Sequence, residues 1–214
     1  MKKRNLFFDL DGTITHSAEG IINSVSYAVE RMGFPVPPRS ELFHYIGPPL
    51  IRSFTQDFNL NHEDGERAVA YYREYYLQKG IFECYVFDGM AELLKGLSEE
   101  GYRLVLATCK PTMMAERILE HFDLRKYFAM VSGPELDGTR NEKHEVIAYA
   151  MEAFGIEDPQ EVLMIGDRRD DVQGARRMGI DCIGVTWGFG SREELVEAGA
   201  VRLVDTPREL LTCF

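Results

Sequence analysis

Asp9 and Asp11 stand two residues apart at the end of the apolar run Leu6-Phe7-Phe8, and Gly12 and Thr13 follow at once. Carboxylates resist burial, and two close together repel. Either they are the polar end of a strand, or something positive sits between them. Two further apolar runs close in reactive residues, Thr108-Cys109-Lys110-Pro111 and Gly166-Asp167-Arg168-Arg169-Asp170-Asp171, and Lys143 lies near the start of a helical pattern between them. Singly each is ordinary: a strand-end aspartate commonly serves a turn, Lys143 reads as a solvated helix residue, and Thr108 as a strand-end hydroxyl. The combination points further. Asp9, Asp11, Asp167 and Asp171 converging on one spot would require a hard divalent cation, and few carboxylates completed by waters and a substrate phosphate suit Mg2+. Residues two apart on an extended segment share a face, so Asp9 and Asp11 can reach one ligand, and Gly12 lets the backbone turn sharply behind them. Thr108 and Lys143 would hold phosphate oxygens, the lysine as a compact point charge.

These residues need a scaffold that gathers strand ends. Continuous apolar runs predict buried parallel strands at Asn5–Phe8, Arg103–Ala107, Phe128–Val131, Val162–Ile165, Cys182–Val185 and Val201–Val204. Helical patterns over Met90–Glu100, Met114–Phe122, Lys143–Phe154 and Asp171–Met178 alternate with them, and Gly101, Gly155 and Gly179 punctuate helix ends. Ser191 with Glu194, and Thr206 with Pro207 and Glu209, read as capping boxes. The expected fold is α/β, a doubly wound, Rossmann-like parallel sheet. Such sheets bind ligands beyond the carboxyl ends of their strands.

One stretch breaks the alternation. From about His16 to Glu83 no strand is evident. Ile21, Ile22, Val25, Ala28, Val29 and Met32 keep helical spacing, Phe34–Pro38 ends that helix, Gly47–Pro49 opens another, and the segment before Gly80 reads as a long helix with Tyr71, Tyr72, Tyr75 and Tyr76 as packing residues. The expected organisation is a catalytic core of residues 1–15 and 84–214, with an inserted all-helical domain at 16–83.

Composition narrows the partners. Of 214 residues 45% are hydrophobic, enough for a sizeable core, and the formal net charge of −11 argues against nucleic acid or an anionic membrane as partner. The basic-then-apolar start is cut short by Asp9 and Asp11, so a cytoplasmic protein is expected. The four cysteines are widely spaced with no CxxC pair, which fits reduced thiols better than disulfides or zinc.

The run "DLDGT", then "ATCKP", then a lysine opening a helix, then "GDRRDD" resembles the haloacid dehalogenase superfamily, in its phosphatase branch. "GPPLIRSF", "SGPELDGTRNEK" and "GVTWGFGSREEL" are similar to its phosphoglycolate phosphatase and 5′-nucleotidase-like subgroup. The resemblance implies a phosphomonoester hydrolase acting on a small phosphate ester, with the helical insertion as a mobile cap, and a monomer or weak homodimer. By it, Asp9 is the nucleophile and Asp11 the general acid and then base. Thr108 and Lys143 contact the transferring group, and Asp9, Asp11, Asp167 and Asp171 serve the Mg2+. Gly12, Thr13, Cys109, Lys110 and, from the cap, Arg52 are candidate substrate contacts. Four acids outweigh Mg2+ and Lys143, so further cations are expected nearby, with Lys110, Arg168 and Arg52 as candidates. His16 and Cys109 depart from the usual residues. Cys109 would make the site oxidation-sensitive were its thiol pKa lowered. A sugar phosphomutase shares all four motifs, and a non-catalytic protein keeping the fold is the third reading.

Overall fold

The computed structural model describes residues 3–136 and 139–214, and the chain divides into two compact units, Met1–His16 with Val86–Phe214, and Ser17–Tyr85.

The first unit is built on six parallel strands: β1 (Asn5–Phe8), β4 (Arg103–Ala107), β5 (Phe128–Ser132), β6 (Val162–Gly166), β7 (Asp181–Val185) and β8 (Arg202–Val204), in the order β5-β4-β1-β6-β7-β8. β1 is therefore central, and the chain winds outward from it first one way and then the other, which makes the edge of β1 the switch point of a doubly wound sheet. The register aligns the strand ends. Phe8 is level with Leu106 on one side and Ile165 on the other, so the residues after β1, β4 and β6 emerge together.

Both faces of this sheet are covered, which is why its strands read as unbroken apolar runs. Phe7, Val105, Ala107, Val162 and Met164 share one buried cluster with Val146, Ile147 and Ala150 of α6 (Lys143–Ala153), Val172 and Ala175 of α7 (Arg169–Arg177), and Leu195 of α8 (Arg192–Ala198). The alternate residues Leu6, Phe8, Leu104 and Leu106 project the other way and are equally buried. α4 (Met90–Glu99) and α5 (Thr112–His121) complete the packing against β4 and β5.

Helix ends follow the expected punctuation with one revision. Gly101, Gly155 and Gly179 take φ of 85°, 60° and 71° just past α4, α6 and α7, the left-handed stop that glycine makes without strain. Ser191 and Thr206 accept the amides of Glu194 and Glu209 at 3.1 Å. Neither glutamate closes a reciprocal box, however. Glu194 turns its carboxylate to Arg168 and Arg169, and Glu209 accepts from the Asp205 amide. A tertiary charge partner outbids the local arrangement at Glu194.

The second unit is helical: α1 (Ala18–Arg31), α2 (Leu50–Asp57) and α3 (His62–Gln78). α1 packs on α3, burying Ile21, Ile22, Val25, Ala28 and Val29 of the one and Ala68, Tyr72 and Tyr76 of the other. Asn61 caps α3 by accepting the Asp64 amide at 2.8 Å. Tyr72 and Tyr76 stack at 5.2 Å in this core, while Tyr75 donates to Glu83. The chain enters and leaves the unit through two-residue strands, β2 (Thr15–His16) and β3 (Tyr85–Val86), which form a second small sheet. Among the described residues no helix is long and apolar enough to cross a membrane.

Met164 sits fully buried in β6, in the cluster that includes Phe7, Val146 and Val172. Truncation there removes apolar contacts and leaves a void. Met164→Ala is expected to cost about 2–5 kcal/mol, read as a lower denaturant midpoint at unchanged slope.

Candidate active site

β1 ends at Phe8, and the Asp9 amide still donates to the Ile165 carbonyl at 2.9 Å. Asp9 thus leaves the sheet pinned to β6. Leu10 turns the chain, its carbonyl receiving the amides of Ile14 and Thr15 at 2.9 Å, and Gly12 takes φ of 90°. A side chain at Gly12 would also meet Asp167 Oδ2 at 2.1 Å, so both backbone shape and space require glycine here. The turn keeps Asp9 and Asp11 at the strand end, 7% and 9% exposed.

Lys143 opens α6, and its buried ammonium reaches back across the sheet end. Nζ lies 2.6 Å from Asp9 Oδ1, 2.8 Å from Asp171 Oδ1 and 2.8 Å from the Ala107 carbonyl oxygen. One cation therefore joins the tips of β1, β4 and α7. Asp171 holds its place by accepting the Arg168 amide on Oδ2 at 3.0 Å, capping its own helix. Asp167 follows β6, fully buried, and accepts from Thr13 Oγ1 at 3.2 Å and from the Phe189 amide at 2.7 Å. Thr108 follows β4. Its amide donates to Ser132 and its Oγ1 accepts from the Lys110 amide at 3.1 Å.

Of the residues expected at the site, the first unit brings together Asp9, Asp11, Gly12, Thr13, Thr108, Lys110, Lys143, Asp167 and Asp171. Lys110 is the additional cation: its Nζ pairs with Asp11 Oδ2 at 3.0 Å, and both groups are nearly buried. Arg168, another expected cation, pairs with Glu194 at 2.9 Å. Arg52 belongs to the other unit, exposed on α2. Cys109 lies beside Lys143 and Asp9, but burial pushes its thiol up to about 12. The condition set for an oxidation-sensitive thiol, a lowered pKa, is therefore not met: the shift runs the opposite way. Sequence reasoning misses the contribution of the loop 187–190, made through the Phe189 amide and the Trp187 indole. The stretch that contains it, "GVTWGFGSREEL", carries the family resemblance, but no residue of the loop has a side chain that reads as a site residue.

The electrostatics show the strain of so many acids. Burial, opposed by Lys143 and reinforced by Asp171, raises Asp9 from 3.8 to about 7. Burial, with Asp171 and Asp9 adding to it, holds Asp167 well above the carboxylate range. Burial works against the Lys143 ammonium, yet Asp171 and Asp9 outweigh it and keep it charged. Two ammonium groups face four carboxylates, which leaves an excess that one divalent cation would cancel. The donors fit such an ion. Asp9, Asp167 and Asp171 each offer an oxygen within 4.8 Å of the others, and Asp11 Oδ1 is buried without a hydrogen-bond partner. All are hard oxygen ligands of the kind Mg2+ prefers.

Residues 6–185 match the family model described as haloacid dehalogenase-like hydrolase. The chain belongs to that family. It is 44% identical over 191 residues to a 5′-nucleotidase of Pseudomonas aeruginosa strain PAO1, covering 89% of this chain and 86% of that protein. It is 37% identical over 199 residues to the tyrosine-protein kinase PtkA of Mycobacterium tuberculosis strain H37Rv, covering 93% of this chain and 67% of the other. The crystal structure of a predicted phosphatase from Clostridium acetobutylicum superposes with a TM-score of 0.96 at 45% identity, over 100% of this chain and 98% of that one.

The raised Asp9 pKa has a consequence for stability. A carboxyl whose folded pKa exceeds its unfolded value stabilises the fold when protonated, and that contribution is lost as pH rises from 3.8 to about 7. In metal-free protein, Asp9→Asn is therefore expected to melt several degrees above wild type at pH 8, with the gap closing towards pH 4. Thermal melts of both proteins across this range check it.

Proposed function

We propose that this protein is a Mg2+-dependent phosphomonoester hydrolase that acts through an aspartyl-phosphate on Asp9. The observation that carries the reading is the buried trio Asp9, Asp167 and Asp171, bound together by the Lys143 ammonium at 2.6 Å and 2.8 Å from two of them. Phosphoryl transfer consists mostly of holding charge in place, and this cluster is arranged to do that.

The steps follow from the residues. An Asp9 carboxylate oxygen attacks phosphorus while the ester P–O bond breaks, and Asp11 gives its proton to the departing alkoxide. Water then attacks the same phosphorus, Asp11 takes a proton from it, and inorganic phosphate leaves with Asp9 restored. Lys143 keeps Asp9 oriented and balances charge on the transferring group, with Thr108 as a hydrogen-bond partner for it. Lys110, paired with Asp11 at 3.0 Å, holds that carboxylate in position. Bound among Asp9, Asp167, Asp171 and the Asp11 segment, Mg2+ would supply charge neutralisation for the phosphate oxygens. Gly12, Thr13 and Cys109 line the strand ends where the phosphate would lie.

The substrate is a small phosphate ester. A nucleoside 5′-monophosphate comes first, supported by the 44% identity to a 5′-nucleotidase, and phosphoglycolate second, supported by the motif resemblance. The helical unit, with Arg52 on α2, is the cap that would choose among them. Water as acceptor is favoured over a second sugar or a tyrosine by the hydrolase family match.

A panel of phosphate esters assayed with Mg2+ and with chelator tests this reading. Phosphate release is expected to need Mg2+, to need no bisphosphate activator, and to show its highest kcat/KM on a 5′-nucleotide. Asp9→Asn should lower kcat at least ~1,000-fold, on the order expected when a covalent nucleophile is removed, while remaining folded. Unchanged phosphate release by that variant would place the chemistry elsewhere.

A further inference from the structure

We propose that the loop Trp187–Gly190 is the positioning element of the ion site, and that it couples Asp167 to the two linkers of the inserted helical unit. The proposal rests on the reading that Asp167 ligates a divalent cation.

Asp167 is fixed by two routes, both supplied or braced by this loop. The Phe189 amide donates directly to Oδ2 at 2.7 Å. The Trp187 indole Nε1–H donates to the Thr13 carbonyl at 3.0 Å, and the Thr13 hydroxyl donates to Oδ1 at 3.2 Å. Each carboxylate oxygen thus receives a donor, and these donors bear on how the group can present lone pairs to an ion. Gly188 between the two is seated hard against the site: a Cβ there would meet Asp167 Oδ2 and the Gly12 carbonyl, each at 2.4 Å. Outer-shell contacts of this kind orient a ligand, and their loss typically lowers metal affinity about 10–100-fold.

The same loop touches the chain where it leaves the first unit and where it returns. The His16 ring lies 5.1 Å from that of Phe189 and 5.8 Å from that of Phe87. The Phe87 ring meets Trp187 edge-on at 6.5 Å, and the Phe87 amide donates to Ile14 at 3.1 Å. His16 closes the first segment of this unit and Val86 reopens it. Two rings of the loop, Trp187 and Phe189, therefore meet one ring at each linker, Phe87 and His16. Whatever fixes Asp167 fixes the loop, and whatever fixes the loop restrains the linkers. The coupling is reciprocal, so linker position bears equally on ion affinity.

Trp187 is the single tryptophan of the chain, so its fluorescence reports this loop alone. In wild type, Mg2+ should change that fluorescence with a midpoint equal to the Kd from titration calorimetry, and a silent tryptophan across a calorimetric transition overturns the proposal. Trp187→Phe keeps a ring but removes the indole donor. It should weaken the calorimetric Kd for Mg2+ about tenfold or more; a lower metal-free Tm with Kd within about twofold of wild type would show a merely structural role. Thr13→Val cuts the same route nearer Asp167, so the double variant should lose little more than Thr13→Val alone, and additive losses refute the route. Saturating Mg2+ should slow hydrogen exchange at the Phe87 amide severalfold in wild type and much less in Trp187→Phe; equal slowing refutes the coupling. Asp167→Asn separates the two levels of failure. If it binds Mg2+ as wild type does, or if wild type binds none, the ion-site reading falls and the proposal with it. If Asp167→Asn loses binding while Trp187→Phe does not, only the proposal falls.

Discussion

Negative charge that cannot be left uncompensated governs this structure. Asp9, Asp11, Asp167 and Asp171 are all at or below 9% exposed, and water cannot solvate them as it would at a surface. In a low-dielectric setting like charges this close drive protons on or draw cations in. The protein does some of each. Lys143 bridges Asp9 and Asp171, Lys110 meets Asp11, and Asp9 and Asp167 are still displaced upward in pKa. A divalent ion bound there would replace an unfavourable arrangement rather than disturb a satisfied one.

The sheet register is the mechanical counterpart. With Phe8 level with Leu106 and Ile165, the first residues past three adjacent strands come out at one height. No loop has to travel to bring Asp9, Thr108 and Asp167 together; the Asp9 and Thr108 amides are held by Ile165 and Ser132, and the Asp167 carboxylate by Thr13 and Phe189. Lys143 comes from further along the chain, at the start of a helix, and donates to the Ala107 carbonyl. That bond holds the ammonium over the strand tips independently of its two carboxylate partners. A change of one residue in register would turn these side chains to opposite faces of the sheet, so the packing of Phe7, Val105 and Met164 on one face and Phe8 and Leu106 on the other is also what keeps the site assembled.

The strands were legible because a sheet buried on both faces writes itself as continuous apolar runs; Asn5–Phe8 and Arg103–Ala107 could be bounded from residue types alone. The left-handed glycines after α4, α6 and α7 were legible for the same reason, since a local backbone requirement selects a residue type. What escaped was tertiary. Nothing near Glu194 in sequence says that its carboxylate leaves its own helix cap for Arg168. Lys110 was legible as a cation near the acids, but nothing near it in sequence says that Asp11, in another βα connection, is the one it pairs with. The loop at Trp187–Gly190 shows only glycines and aromatics, residues that contribute through a backbone amide, an indole N–H and the absence of a Cβ, none of which a search for charged side chains would detect. At Cys109 the position near the site was legible, while the direction of its pKa shift, set by burial, was not.

The overall charge of the chain then has less to do with substrate capture than its size implies. A net −11 should repel a phosphate dianion, yet exposed charges are screened beyond about 8 Å at physiological ionic strength. Inside the site screening is weak, and the local sum decides. Lys143 and Lys110 balance two of the four acids, a bound divalent ion would balance the others, and an arriving phosphate then meets a pocket that is close to neutral. Close to neutral is not attractive in itself. On the proposed reading, attraction would have to come from directed contacts, those of the lysine ammonium groups and of a bound divalent ion with phosphate oxygens. Such contacts would strengthen as charge shifts during transfer, whereas a strongly cationic pocket would hold substrate and product phosphate alike. Crowding acids around a few cations would thus favour the transition state over tight ground-state binding, which is the condition for turnover rather than capture.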